Sequence, residues 1–197
     1  MILVLLTLLA IGCGASAQTT PAASGTQAMY NAAANSAEAK FRHIEQNAER
    51  TPPDQVPTTL TEREINSYLA SGRVQLPTGV QQVQFTGSQG VVEATTRVDF
   101  DAITASRRSS NPLLSLFSGV HNVHAVARAE GSGGQGRVHI ESVDIDGVKV
   151  PRMALEYFVE HYITPKYPNV GIDSTFELPY HIDLARVADH QLILTQK

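Results

Sequence analysis

Val91-Val92-Glu93-Ala94-Thr95-Thr96-Arg97-Val98-Asp99-Phe100-Asp101 is the stretch that decides the fold class. Val92, Ala94, Thr96, Val98 and Phe100 share one face, while Glu93, Thr95, Arg97 and Asp99 share the other. Side chains alternate across a strand with period two, so the run predicts a half-buried antiparallel strand. Upstream, Val80-Gln81-Gln82-Val83-Gln84-Phe85 leads into it through Gly87-Ser88-Gln89-Gly90. Downstream, residues 120–130 alternate again, with Val123, Ala125, Ala127 and Ala129 on one face. Residues 131–136 predict a flexible turn, and residues 137–145 a returning strand that ends at Asp146-Gly147. Residues 175–178, 181–187 and 191–195 read as further strands, the last two joined by a turn at Asp189-His190.

Two helices interrupt this pattern. Leu60-Thr61-Glu62-Arg63-Glu64-Ile65 is a capping box, with Thr61 as N-cap and Glu64 at the third helical position. Leu60 and Ile65 are spaced to close a hydrophobic staple across it; Ile65, Tyr68 and Leu69 then face the core, and Gly72 supplies a stop. Pro151 opens the second helix, which carries Leu155, Phe158, Val159 and Tyr162 on its apolar side and is stopped by Pro165 and Pro168. The expected architecture is α+β: a strongly bent antiparallel sheet packed on two amphipathic helices, with an extra N-terminal helix.

That extra helix covers residues 26–50, an Ala-rich segment free of Pro and Gly. Its apolar stripe of Met29, Ala33, Ala37, Phe41 and Ile44 is thin, which predicts a helix that docks weakly or serves as a spacer. A Thr/Ala/Ser-rich tether precedes it, and Thr51-Pro52-Pro53 ends it in a stiff linker running to Pro57. The expected organisation is a signal segment over 1–17, tether, helix and linker over 18–57, and an α+β domain over 58–197.

The first seventeen residues give the address. Residues 2–11 form an apolar run broken only by Thr7, too short for the ~20 residues of a membrane span but of signal-peptide length. Ala15-Ser16-Ala17 before Gln18 is an A-x-A cleavage site. Ala10-Ile11-Gly12-Cys13 is a competing signal, resembling the bacterial lipobox, although that pattern prefers a larger aliphatic residue where Ala10 stands. In that case the signal ends at Gly12, and Cys13, the only cysteine, is the lipidation site. No Lys or Arg precedes the apolar run, so the usual positive n-region would lie upstream of Met1. The expectation is export to the periplasm or cell envelope, with membrane attachment through a lipid anchor if Cys13 is modified.

Composition narrows the function. A net charge of −4, with no basic cluster larger than Arg107-Arg108, argues against nucleic acid as partner. The 42% hydrophobic content suffices for a core, and a lone Cys rules out an intrachain disulfide framework. Gly131-Ser132-Gly133-Gly134-Gln135-Gly136 matches G-x-G-x-x-G, but a strand follows it where a dinucleotide site needs a helix. Asp144-Ile145-Asp146-Gly147 resembles part of a calcium loop, yet Met153 stands where the bidentate Glu belongs, so a turn is expected. His121 and His124 fall on opposite strand faces, and Glu156, Glu160 and His161 form no H-E-x-x-H. There is no G-x-S-x-G. No catalytic residue, metal or cofactor is assigned.

Two features point instead to apolar contacts. The stripe Ala125, Ala127 and Ala129 either holds a channel open between sheet and helix or lets a helix approach closely. Pro112-Leu113-Leu114-Ser115-Leu116-Phe117 puts apolar residues in a connection between strands, where polar residues are the rule. It is either a buried helical turn or plug, or an apolar lip at a groove mouth with Arg107 and Arg108 meeting anionic head groups. Ala125, Ala127, Ala129, Leu113, Leu114, Leu116 and Phe117 are the groove candidates.

Leu60-Thr61-Glu62-Arg63-Glu64-Ile65-Asn66-Ser67-Tyr68-Leu69 resembles the opening of the YceB-like bacterial envelope lipoproteins. Val98-Asp99-Phe100-Asp101, residues 143–151 and Phe176-Glu177-Leu178-Pro179 are also similar to that group, so the likeness covers residues 58–197. The group is related to the tubular lipid-binding (TULIP) superfamily, in which a curved sheet wraps a helix around an apolar groove. The resemblance implies an exported, non-enzymatic protein that binds or shields a lipid or another apolar small molecule, and it carries no catalytic residues. The alternative is a membrane-tethered structural or protein-interaction module with a filled core, its protein partner unknown.

Overall fold

The computed structural model describes residues 25–104 and 117–197. The signal segment, Cys13, and Leu113, Leu114 and Leu116 of the apolar connection lie outside the described residues.

Helix α1 (Gly25–Ala48) is not the spacer its thin stripe suggests. Ala34, Ala37, Ile44 and Asn47 are all buried, Ala37 and Ile44 at 0% exposure, whereas Met29 near the N-terminus stays exposed. Small side chains weaken the hydrophobic signal of a stripe but let a helix approach closely, and Ala37 and Ile44 pack with Leu60, Ile182 and Leu194. Buried amides fasten its end. Asn47 Nδ2 donates to Gln196 Oε1 and to the Asp54 carbonyl, each at 2.8 Å. Gln196 Nε2 donates in turn to the Ile44 and Tyr180 carbonyl oxygens.

Strand β1 (Thr58–Thr61) runs directly into helix α2 (Glu62–Ala70). The capping box forms as expected: Thr61 Oγ1 accepts from the Glu64 amide and Glu64 Oε2 accepts from the Thr61 amide. Leu60 is fully buried with Ile65 packed against its cluster, and Gly72 follows the helix at φ +73. Strands β2 (Val80–Ser88) and β3 (Val91–Asp99) come next, then the short helix α3 (Phe100–Thr104). The strand therefore stops two residues before Asp101. Asp99 Oδ1 accepts from the Ala102 amide, an N-cap that turns the chain into α3.

Strands β4 (Val120–Ser132) and β5 (Gln135–Ile145) form a long hairpin. Its turn is only Gly133-Gly134, tighter than the six-residue loop expected, because both glycines take positive φ and so match the twist of the flanking strands. Asp146-Gly147 makes a second turn, with φ +49 and +80, into the two-residue β6 (Val148–Lys149). Helix α4 (Arg152–Phe158) continues as a π-helix over Val159–Ile163, and β7 (Asp173–Glu177), β8 (Ile182–Ala188) and β9 (Gln191–Gln196) complete the chain.

The nine strands of the described residues join one antiparallel sheet, ordered β1-β9-β8-β4-β3-β2, with β5 on the other edge of β4 and itself pairing β6 and β7. The bend arises at β4. Its residues Val120 to Arg128 pair with β3, but Glu130 and Gly131 pair with β8 on that same edge. The sheet does not close into a barrel. One apolar face carries the helices. At one end α1 and α2 pack over β1, β9, β8 and the β2–β3 hairpin; at the other, α4 packs over β3, β4 and β5.

Candidate functional site

Beneath those two helical layers the sheet face is not filled. A first cavity, of about 110 Å³, lies where Phe41 of α1 and Ile65 of α2 look down on Val92, Ala94, Ala127 and Ala129. Its far wall comes from the C-terminal strands and the chain before them, with Phe176, Leu178, Ile182, Val187 and Leu194. A second cavity, of about 180 Å³, lies under α4. Thr96, Val98, Val123, Ala125 and Val143 form its floor, and Leu155, Phe158 and the widened π-helical turn with Val159 and Tyr162 form its roof.

The two cavities adjoin. Ala94 and Thr96 are successive inward positions of β3, one in each cavity; so are Ala127 and Ala125 on β4, and Val138 and Ile140 on β5. Across the strands, Ala94 of the first cavity is the paired neighbour of Ala125 of the second. On these three strands no inward-facing residue lies between the two cavities, because inward positions recur every second residue. On β2, by contrast, the buried Val83 stands between Val80 of the second and Phe85 of the first. Alanines stand at this border, and larger side chains there would take up the space.

Glycine shapes the first cavity. A Cβ on Gly131 would come within 2.7 Å of the Ala185 Cβ, and one on Gly136 would overlap the Phe176 ring. Both positions thus let the C-terminal part of the chain close over the sheet.

The expected groove residues are brought together in part. Ala127 and Ala129 line the first cavity; Ala125 and Phe117 line the second. Phe117 is buried, stacked on Phe158 with ring centroids 4.2 Å apart and edge-on to Phe100 at 5.4 Å. At that residue the apolar connection is packed into the core. The residues missed from sequence are Phe41 and the wall from Phe176 to Leu194. Their alternation was visible, but nothing in it shows that this part of the chain folds back over Ala127 and Ala129.

Polar groups lie at the margins. Glu130 and Arg137, both exposed, pair at 3.8 Å beside the first cavity. Behind its wall, Glu64 is buried and accepts from Lys40 Nζ at 2.6 Å and Ser36 Oγ at 2.5 Å. Burial pushes the Glu64 carboxyl up, yet the hydrogen bonds from Lys40, Ser36 and Thr61 outweigh it and hold its pKa down to about 2. His121 Nδ1 lies 2.5 Å from Asp146 Oδ2, and this hydrogen bond raises the imidazole pKa while lowering that of the carboxyl. His124 faces different carboxylates, Glu93 at 3.5 Å and Asp144 at 3.9 Å, so the two histidines do not converge. His190 is raised by its hydrogen bond to Glu62, at 2.7 Å.

Among the described residues, no group of three or more His, Cys, Asp or Glu could hold a metal ion, and no helix is long and apolar enough to cross a membrane. The arrangement can exclude water from carbon-lined space. No family model, curated protein or solved structure matches the chain.

Proposed function

We propose that this is an exported, non-catalytic protein of the cell envelope that binds or shields a lipid or another apolar molecule. The observation that carries the reading is the pair of adjoining apolar cavities on the inner face of the bent sheet. An apolar cavity of ~150 Å³ is large enough to take benzene. The space of about 180 Å³ exceeds that size and the neighbouring one of about 110 Å³ falls below it, so the pair suits one alkyl chain laid across both better than a ring in each. Each methylene buried there contributes ~0.8 kcal/mol.

The apolar run of residues 2–11 supports export, and Cys13 after Gly12 supports a lipid anchor. The likeness of residues 60–69 to the YceB-like envelope lipoproteins supports the same reading. So does the kinship of that group with the TULIP superfamily, whose curved sheets enclose apolar grooves. Native mass spectrometry of protein purified gently from the envelope fraction tests the proposal. A co-purifying mass of lipid size is the expected result. A uniform ligand-free mass, together with a specific co-purifying protein, would defeat it in favour of a tethered interaction module.

A further inference from the structure

We infer that the apolar ligand is an amphiphile with an anionic head group, of the fatty-acid class, and that Lys166 holds this head group at the rim of the second cavity. The inference rests on the apolar-ligand reading above and adds the ligand's charge and its direction of entry. Among the described residues, Lys166 is the one charged side chain lining that cavity. It is exposed, whereas Val98, Val123, Ala125 and Phe158 are buried, so its ammonium marks the end that meets water.

Nζ of Lys166 donates to the Ile103 carbonyl oxygen at 3.1 Å and pairs with no carboxylate among the described residues. Residues 1–24 and 105–116 contain no Asp or Glu that could supply one. An ammonium has three donors, so a carboxylate can be added without breaking the bond to Ile103. The first cavity offers no such preference, because its two charged lining residues, Glu130 and Arg137, face each other as a pair. A carboxylate on Lys166 leaves its chain an apolar wall to follow inward along β3 and β4. That wall presents Thr96 and Ala125 of the second cavity and then Ala94 and Ala127 of the first. Together the two cavities come to about twice the ~150 Å³ that takes a six-carbon ring, the scale of a chain of roughly a dozen carbons.

Displacement of the neutral dye N-phenyl-1-naphthylamine by dodecanoate and by dodecan-1-ol separates head-group recognition from chain burial. The titrations compare wild type with Lys166→Gln, each checked by circular dichroism for an unchanged melt. An ion pair to an exposed side chain corresponds to about a two- to fivefold change in affinity. Lys166→Gln should therefore weaken dodecanoate about two- to fivefold and leave dodecan-1-ol unchanged, and Lys166→Glu should weaken dodecanoate further. Equal displacement by dodecanoate in wild type and Lys166→Gln would overturn the head-group inference while leaving the cavity reading standing. If the dye fails to bind, or neither twelve-carbon probe displaces it, the cavity reading itself falls and takes this inference with it.

Discussion

Replacing Glu64 by Gln keeps the shape of the capping box but removes the charge at the joint between α1, β1 and α2. Glu64 is 8% exposed and accepts hydrogen bonds from Lys40 Nζ, Ser36 Oγ, the Thr61 amide and Thr61 Oγ1. Its carboxyl pKa falls from 4.5 to about 2, against the upward push of burial, because Lys40 above all stabilises the ionised form. At ~1.36 kcal/mol per pH unit that gap corresponds to about 3 kcal/mol. Lys40 is one-third exposed, so solvent screening reduces the usable part to about 2 kcal/mol. A chain of this size moves ~2–4 °C in Tm per kcal/mol, so Glu64→Gln should lower the midpoint by roughly 4–8 °C at pH 7.

The sign of the pH dependence follows from the depressed pKa. The ionised carboxyl contributes its full stability above pH 4.5 and loses it as the pH falls from 4.5 toward 2. Urea unfolding followed by circular dichroism at pH 7, 5, 4 and 3 should therefore show wild type and variant converging only below pH 4.5. Equal stability at pH 7, or a gap that stays constant down to pH 3, would refute the argument.

Three other outcomes are expected. Thr61→Ala removes a side-chain cap and should cost ~1 kcal/mol, and Leu60→Ser, at a fully buried staple position, should cost ~2–3 kcal/mol; unchanged thermal midpoints would mean that the cap does not organise this helix. Phe117→Ala should cost ~3–5 kcal/mol by emptying the stack on Phe158, whereas normal folding with altered liposome binding would place Phe117 in a mobile lip instead. Cys13→Ser should move the protein from the membrane fraction to the soluble envelope fraction, and an unmoved protein whose mature N-terminus is Gln18 would end the lipid-anchor proposal.

Much of the sheet was legible because its signals are local. Alternation at 91–101 and 120–130, the capping box at Thr61 and Glu64, and the turn glycines each act within a few residues. The errors came where distant parts of the chain decide. Strand β1 is four residues long and exists by pairing Thr58 to Thr61 with residues 191–194. The docking of α1 depends on Asn47 meeting Gln196, a partner 149 positions away and invisible to any helical period. At the cavities, the stripe Ala125, Ala127 and Ala129 was readable as small residues facing inward. Whether that space stays open depends on where α4 and the wall from Phe176 to Leu194 settle, and only the folded chain contains that information.

Filling the cavities tests the central claim most directly. Ala125→Leu and Ala127→Leu add bulk at the border between the two spaces, one in each, with an overpacking cost of ~1–3 kcal/mol that leaves the fold to be verified by circular dichroism. The measurement is fluorescence of N-phenyl-1-naphthylamine titrated with wild type and with the folded double variant. The account predicts saturable brightening with wild type and its loss, by about tenfold or more in affinity, in the variant. Equal dye binding by both proteins, or none by wild type, would contradict the claim that the inner face of this sheet is a binding site.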